Sequence, residues 1–120
     1  MDLQSSVLSV EDHFRDRDPK VRAIYDRILA AARQNGAVTE DPKKTSIHLN
    51  RRTAFAGIAT RRESLILTFK LDRDVPSGRI SKHERASANR WHLEVRLTGP
   101  EQVDAELQGW IGEAFQLARE

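Results

Sequence analysis

Five ionisable side chains fall at positions where they would share one face of a β-sheet. Each alternates with apolar neighbours, and successive side chains of a strand point to opposite faces. Two imidazoles and a carboxylate could ligate a metal, a histidine beside a carboxylate could act as a general base, and lysine or arginine could clamp a carboxylate or phosphate. The set is His48, Lys70, His92, Glu94 and Arg96. The pattern predicts a polar sheet face that binds an anionic ligand.

The order of the strands decides whether the two histidines can act together. Neighbouring strands lie ~4.8 Å apart, so the first and fourth strands of a simple meander are about 14 Å apart. His48 and His92 would share an ion only if the fourth strand paired beside the first. We therefore predict no metal and no cofactor. The alternatives are a solvated polar face without a ligand and a small enzyme that uses His48 or His92.

A second set of cations falls in predicted turns, at Lys43, Lys44, Arg51, Arg52, Arg61 and Arg62. Between residues 40 and 96, basic residues outnumber acidic ones by 13 to 7. Such a surface could contact nucleic acid through its phosphates. Surfaces that bind single strands also need exposed aromatic rings for stacking, and the few aromatic residues are expected inside. Cations on turns and strand edges more commonly prevent aggregation.

Period-two alternation of apolar and polar residues predicts four strands. They span residues 45–50, 53–60, 64–71 and 90–97. Small residues surround Gly57 in the second strand, which indicates close packing or a bulge there. Residues 41–44 are predicted to form a turn, and residues 72–89 a long polar connection without an apolar pattern.

Two amphipathic helices flank these strands. The first begins at Asp18-Pro19 and ends at Asn35-Gly36, because proline suits the first helical position and glycine the C-terminus. The second is expected to start within residues 98–101 and to bury Trp110. Both must bury an apolar stripe, and the sheet offers one apolar face. The predicted fold is α+β, with a four-stranded, mainly antiparallel sheet and both helices on one face.

The length and composition suit one small domain. The chain has 120 residues and no cysteine, which excludes disulfides and thiolate sites. Residues 1–8 are expected to be a disordered lead and residues 9–119 a single domain. The sequence contains no apolar stretch of the ~20 residues that cross a bilayer, and we predict a cytoplasmic protein. Exposed strand edges allow a monomer or a homodimer.

Several runs of residues are similar to a family of bacterial domains known as domain of unknown function 5655. The similar runs are residues 43–49, 52–57, 89–92 and 103–107, with Trp110 and residues 113–115. The resemblance extends over roughly residues 10–117. Relatives occur alone or at the C-terminus of longer so-called predicted transport proteins. The resemblance implies a fold and supplies no catalytic residues.

These observations favour a non-enzymatic binding or accessory module. Its partner would be an anionic ligand or a protein that contacts the polar sheet face. The alternatives are a nucleic-acid-associated domain and the small histidine enzyme.

Overall fold

A computed structural model describes residues 8–118 of the chain. Helix α1 spans Pro19–Arg33 and helix α2 spans Ala105–Leu117, and 3₁₀ helices cover Glu11–Phe14 and Pro100–Gln102. The predicted disordered lead lies outside the described residues, apart from the exposed Leu8. Among the described residues, no helix is long and apolar enough to cross a membrane.

Six antiparallel strands form one sheet, in the order β1-β2-β3-β4-β6-β5. The strands are β1 (Thr39–Pro42), β2 (Ile47–Asn50), β3 (Ala54–Thr60), β4 (Leu65–Leu71), β5 (Ile80–Ser87) and β6 (Arg90–Leu97). The predicted α+β class is confirmed. The predicted number of four strands is wrong, because the structure adds β1 and β5 at the two edges.

Both missed strands lie at sheet edges, where the alternation signal is weakest. In β5 only Ile80 is buried and the following seven residues are exposed, so the predicted polar connection over residues 72–89 is wrong for residues 80–87. Strand β1 ends at Pro42, within the segment predicted to be a turn. A proline has no backbone N–H to donate, and an edge strand tolerates that loss.

Each α-helix begins at an aspartate that caps it. Asp18 accepts a hydrogen bond from the Lys20 backbone N–H at 2.9 Å, and Asp104 accepts one from the Leu107 N–H at 3.1 Å. Such caps satisfy backbone donors that the helix leaves unpaired. Helix α2 therefore begins after Asp104, later than the sequence predicted, and a 3₁₀ helix occupies the expected start.

The helices pack on one face of the sheet, which we call the covered face. Along β4, Leu65, Leu67, Phe69 and Leu71 point to this face and are fully buried. Trp110 of α2 stacks on Phe69 with ring centroids 5.7 Å apart, which confirms its predicted place in the core. The alternate residues of β4 are half-buried and point to the opposite face, which we call the open face.

A bulge at the start of β3 turns one large side chain into the core. Asn50 pairs with Ala54 and Leu49 pairs with Ala56, so Phe55 is an extra residue in the strand. Its ring packs edge-on against Phe115 of α2, with centroids 5.5 Å apart. The sequence had indicated either a bulge or close packing at Gly57. The observed bulge lies two residues earlier, at Phe55.

The segment between β4 and β5 runs on the helix side. Arg73 makes two hydrogen bonds of 2.9 Å to the Glu113 carboxylate of α2. Arg79 donates to Asp104 at 2.9 Å and to Glu106 at 3.1 Å. These contacts hold residues 72–79 against α2 and away from the open face.

Candidate anion-binding surface

The open face brings four of the five predicted residues onto one pair of neighbouring strands. Lys70 of β4 lies directly opposite His92 of β6. Glu94 lies opposite Thr68 in the next row, and Arg96 opposite Ile66 in the row after that. Because β4 and β6 adjoin, Lys70 and His92 form the closest pair in the predicted set.

His48 lies apart from these residues. It is on β2 and pairs with Asp41 and Gly57, so β3 and β4 separate it from β6. Three strand spacings amount to about 14 Å. His48 and His92 therefore cannot share an ion or exchange a proton directly. Within residues 8–118, no group of three or more histidine or acidic side chains is placed to hold a metal.

His92 has an acidic cross-strand neighbour on the open face. Glu84 of the edge strand β5 lies opposite it, and the Glu84 Oε1 atom is 3.6 Å from the His92 Nδ1 atom. The Glu84 side chain is 56% exposed, and surface ion pairs of this kind contribute little to stability. Glu84 thus adds a negative charge to the row that contains Lys70 and His92.

Lys70 and His92 line a cavity of about 300 Å³ where β3 and β6 begin and α2 ends. Arg90, the first residue of β6, supplies a second cationic side chain beside Lys70, and Thr53 supplies a hydroxyl. Apolar atoms form the rest of the wall. They come from Ala54, Phe55, Ala86, Ala114, Leu117 and Ala118, and Ser87 completes the lining. None of the described residues that line this cavity is acidic.

Sequence reasoning missed Arg90 and Phe55 as members of this site. Arg90 precedes His92, Glu94 and Arg96 in the same alternating pattern, and that register was a usable signal. The place of Phe55 depends on the bulge, for which the sequence has no comparable pattern.

The six cations of the predicted basic surface do not form one patch. The β1–β2 and β3–β4 turns, which carry Lys43, Lys44, Arg61 and Arg62, lie at one end of the sheet. Arg51 and Arg52 lie in the β2–β3 turn at the other end.

Arg51 and Lys43 of this set contact other parts of the fold. Arg51 donates to the Phe115 carbonyl oxygen at 3.1 Å and stacks over the Phe115 ring at 4.3 Å. Lys43 pairs with Asp41 at 3.0 Å, and its hydrogen bond holds the pKa of the Asp41 carboxyl below the usual value.

A shallow trough of about 220 Å³ lies on the open face beside His48. Gly57 and Ala59 of β3 form its floor. A methyl group on Gly57 would meet only the His48 Cδ2 atom, at 3.9 Å, which is ordinary van der Waals contact. Close packing therefore does not require the glycine, contrary to the expectation from the sequence.

The fold and the surface together define a small α+β domain with one helix-covered and one open sheet face. Comparison with protein families matches residues 10–118 to the family described as Domain of unknown function (DUF5655). The chain belongs to this family, as its sequence had suggested. No curated protein and no solved structure matches the chain.

Proposed function

We propose that the domain is a non-enzymatic module that binds a small organic anion in the cavity lined by Lys70, Arg90 and His92. The observation that carries the proposal is the combination of cationic and apolar side chains in the lining of this cavity. A carboxylate or phosphate group would contact the cations, and the body of the ligand would lie against Phe55 and Leu117.

The arrangement of charge supports an anionic ligand. Directly opposite residues on antiparallel strands have Cβ atoms about 5 Å apart, so Lys70 and His92 can contact the same anionic group. Arg90 adds a planar guanidinium, which can form paired hydrogen bonds to a carboxylate or phosphate. The Thr53 hydroxyl can donate a further hydrogen bond.

The size of the cavity favours a small ligand. Ligand pockets commonly enclose about 300–1,000 Å³, and this cavity of about 300 Å³ lies at the lower limit. An anion with a single ring or a short alkyl chain suits that volume. Single-stranded nucleic acid has less support as a ligand, because the described residues place no Phe, Tyr or Trp side chain on the open face for stacking.

A calorimetric titration with benzoate and benzamide tests the proposal. The two probes share a ring and differ in charge, so benzoate should bind and benzamide should not. Arg90→Ala and Lys70→Ala should each weaken benzoate binding by about 10-fold or more, because hydrogen bonds to charged groups contribute about 1.5–3 kcal/mol.

Lys82→Ala is the matched control. Lys82 carries the same charge on the edge strand β5 and does not line the cavity, so its removal should leave benzoate affinity unchanged. Equal binding of the two probes, or equal losses in the Lys70 and Lys82 variants, would contradict the proposal.

A further inference from the structure

A second cavity, of about 480 Å³, lies at the other end of the sheet. The β3–β4 turn, the first turn of α1 and the end of β6 surround it. Four cationic side chains line it: Lys20, Arg61, Arg62 and Arg96. Glu63 is the single acidic residue among the described lining. The cavity therefore has a strong excess of positive charge.

These four cations differ from the arginines that contact α2. Arg73 and Arg79 are paired with carboxylates of α2 and the residue that caps it. No carboxylate of residues 8–118 pairs with any of the four. Arg61 has one side-chain hydrogen bond, to the Thr60 carbonyl oxygen at 3.1 Å. An unbalanced cluster of like charges repels itself, and a bound anion would relieve that repulsion.

A buried serine provides an independent indication of a ligand. Ser64 lines the cavity and is 3% exposed. Its Oγ atom has no hydrogen-bond partner within the described residues, although buried polar atoms are almost always hydrogen-bonded.

The turn that carries these groups is anchored at two points. The Arg61 N–H donates to the Ser64 carbonyl oxygen at 2.8 Å, and the Asp18 N–H donates to the Arg62 carbonyl oxygen at 2.8 Å. The second bond ties the turn to the residue that caps α1. The backbone of the cavity is thus fixed before any ligand binds, which lowers the entropic cost of binding.

From these observations we infer that this cavity is a binding site for the phosphate group of a phosphorylated small molecule. None of the seven lining residues has an aliphatic or aromatic side chain, so the site recognises the anionic group more than the body of the ligand. Three guanidinium groups suit the several oxygens of a phosphate, and a dianion balances the four cations better than a carboxylate does. The site is separate from the Lys70 cavity, because Arg96 and His92 are four residues, or about 13 Å, apart along β6.

Titration with inorganic phosphate and with phenyl phosphate, followed by calorimetry at low salt, tests the inference. Both probes should bind with similar affinity, because only the phosphate group is contacted. Arg62→Ala and Arg96→Ala should each weaken binding by about 10-fold or more, and Ser64→Ala by a few-fold. Lys82→Ala, at a lysine that lines neither cavity, should leave phosphate affinity unchanged.

Three outcomes would overturn the inference. The first is the absence of saturable phosphate binding to the wild-type domain. The second is equal affinity in the wild type and the Arg96→Ala variant. The third is much tighter binding of a twelve-nucleotide single-stranded DNA than of phosphate, together with loss of the DNA binding in Arg62→Ala. That result would indicate a nucleic-acid surface. Melting temperatures of the variants identify any loss of binding that results from unfolding.

Discussion

Along β4, the residues that face the helices are buried more completely than the residues that face away from them. Leu65, Leu67 and Phe69 are fully buried beneath α1 and α2, whereas Ile66, Thr68 and Lys70 alternate with them on the open face and stay half-buried. Apolar burial supplies most of the favourable free energy of folding. The covered face therefore determines stability, and the open face is free to carry ionisable groups.

The two ends of the sheet differ in a second respect. The cavity near Lys70 combines cations with apolar walls, whereas the cavity near Arg96 is lined by polar and charged residues alone. The first would give the body of a ligand aliphatic and aromatic side chains to pack against, and the second would not. If both proposals hold, the two anion sites differ in selectivity.

Alanine substitutions at two adjacent positions of β4, Leu67 and Thr68, should differ most in their effect on stability, because the two side chains lie on opposite faces. Leu67→Ala removes a fully buried side chain and should lower the free energy of unfolding by about 2–5 kcal/mol. Thr68→Ala, on the open face, should change it by about 0.5 kcal/mol or less. Urea unfolding of both variants measures the difference, and similar losses would contradict the assignment of the two faces.

Two glycines provide a similar contrast with a smaller effect. Gly36 has a φ of 150°, and a methyl group there would lie 2.9 Å from the Phe115 Cζ atom. Gly36→Ala should therefore destabilise the domain by about 1–3 kcal/mol. Gly57→Ala has space on the open face and should be neutral or stabilising by up to about 1 kcal/mol. Thermal unfolding measures the stability of both variants. A larger loss of stability in Gly57→Ala than in Gly36→Ala would contradict the placement of Gly57 on the open face.

The cap of α2 should make the stability of the covered face depend on pH. The hydrogen bond from Arg79, together with that from the Leu107 N–H, holds the pKa of Asp104 below its usual value. The carboxylate therefore stabilises the fold fully above the ordinary aspartate pKa of about 3.9, and this contribution is lost as the pH falls through the lower pKa of the folded state.

Asp104→Asn isolates this charge, because asparagine also caps helices well. The variant should be less stable than the wild type at pH 6, and the difference should shrink as the pH approaches 3. Asp104→Ala, which also loses the cap, should cost about a further 1 kcal/mol at both pH values. A difference between wild type and Asp104→Asn that stays constant from pH 6 to 3 would show that the Asp104 charge does not stabilise the fold.

Much of the fold could be predicted from the sequence, because burial on one face leaves a period-two pattern in β2, β4 and β6. Both edge strands were missed for the same physical reason. Strand β5 buries Ile80 alone, and β1 ends in a proline, so neither has an alternating apolar face.

The candidate site was less predictable, because it depends on contacts between distant segments. Lys70 and His92 meet through the pairing of β4 with β6, whereas the meander order separates His48 from them. The extra residue Phe55 completes the cavity wall. A bulge leaves no periodic signal in the sequence.

Amide chemical-shift mapping with benzoate would locate the proposed anion site on the domain. We expect saturable shifts at residues 53–55, 70 and 90–92, around the cavity near the start of β6, and little change in the β3–β4 turn at residues 61–64. Shifts centred on the β3–β4 turn, or no saturable shifts at millimolar benzoate, would contradict the claim that Lys70, Arg90 and His92 bind an organic anion.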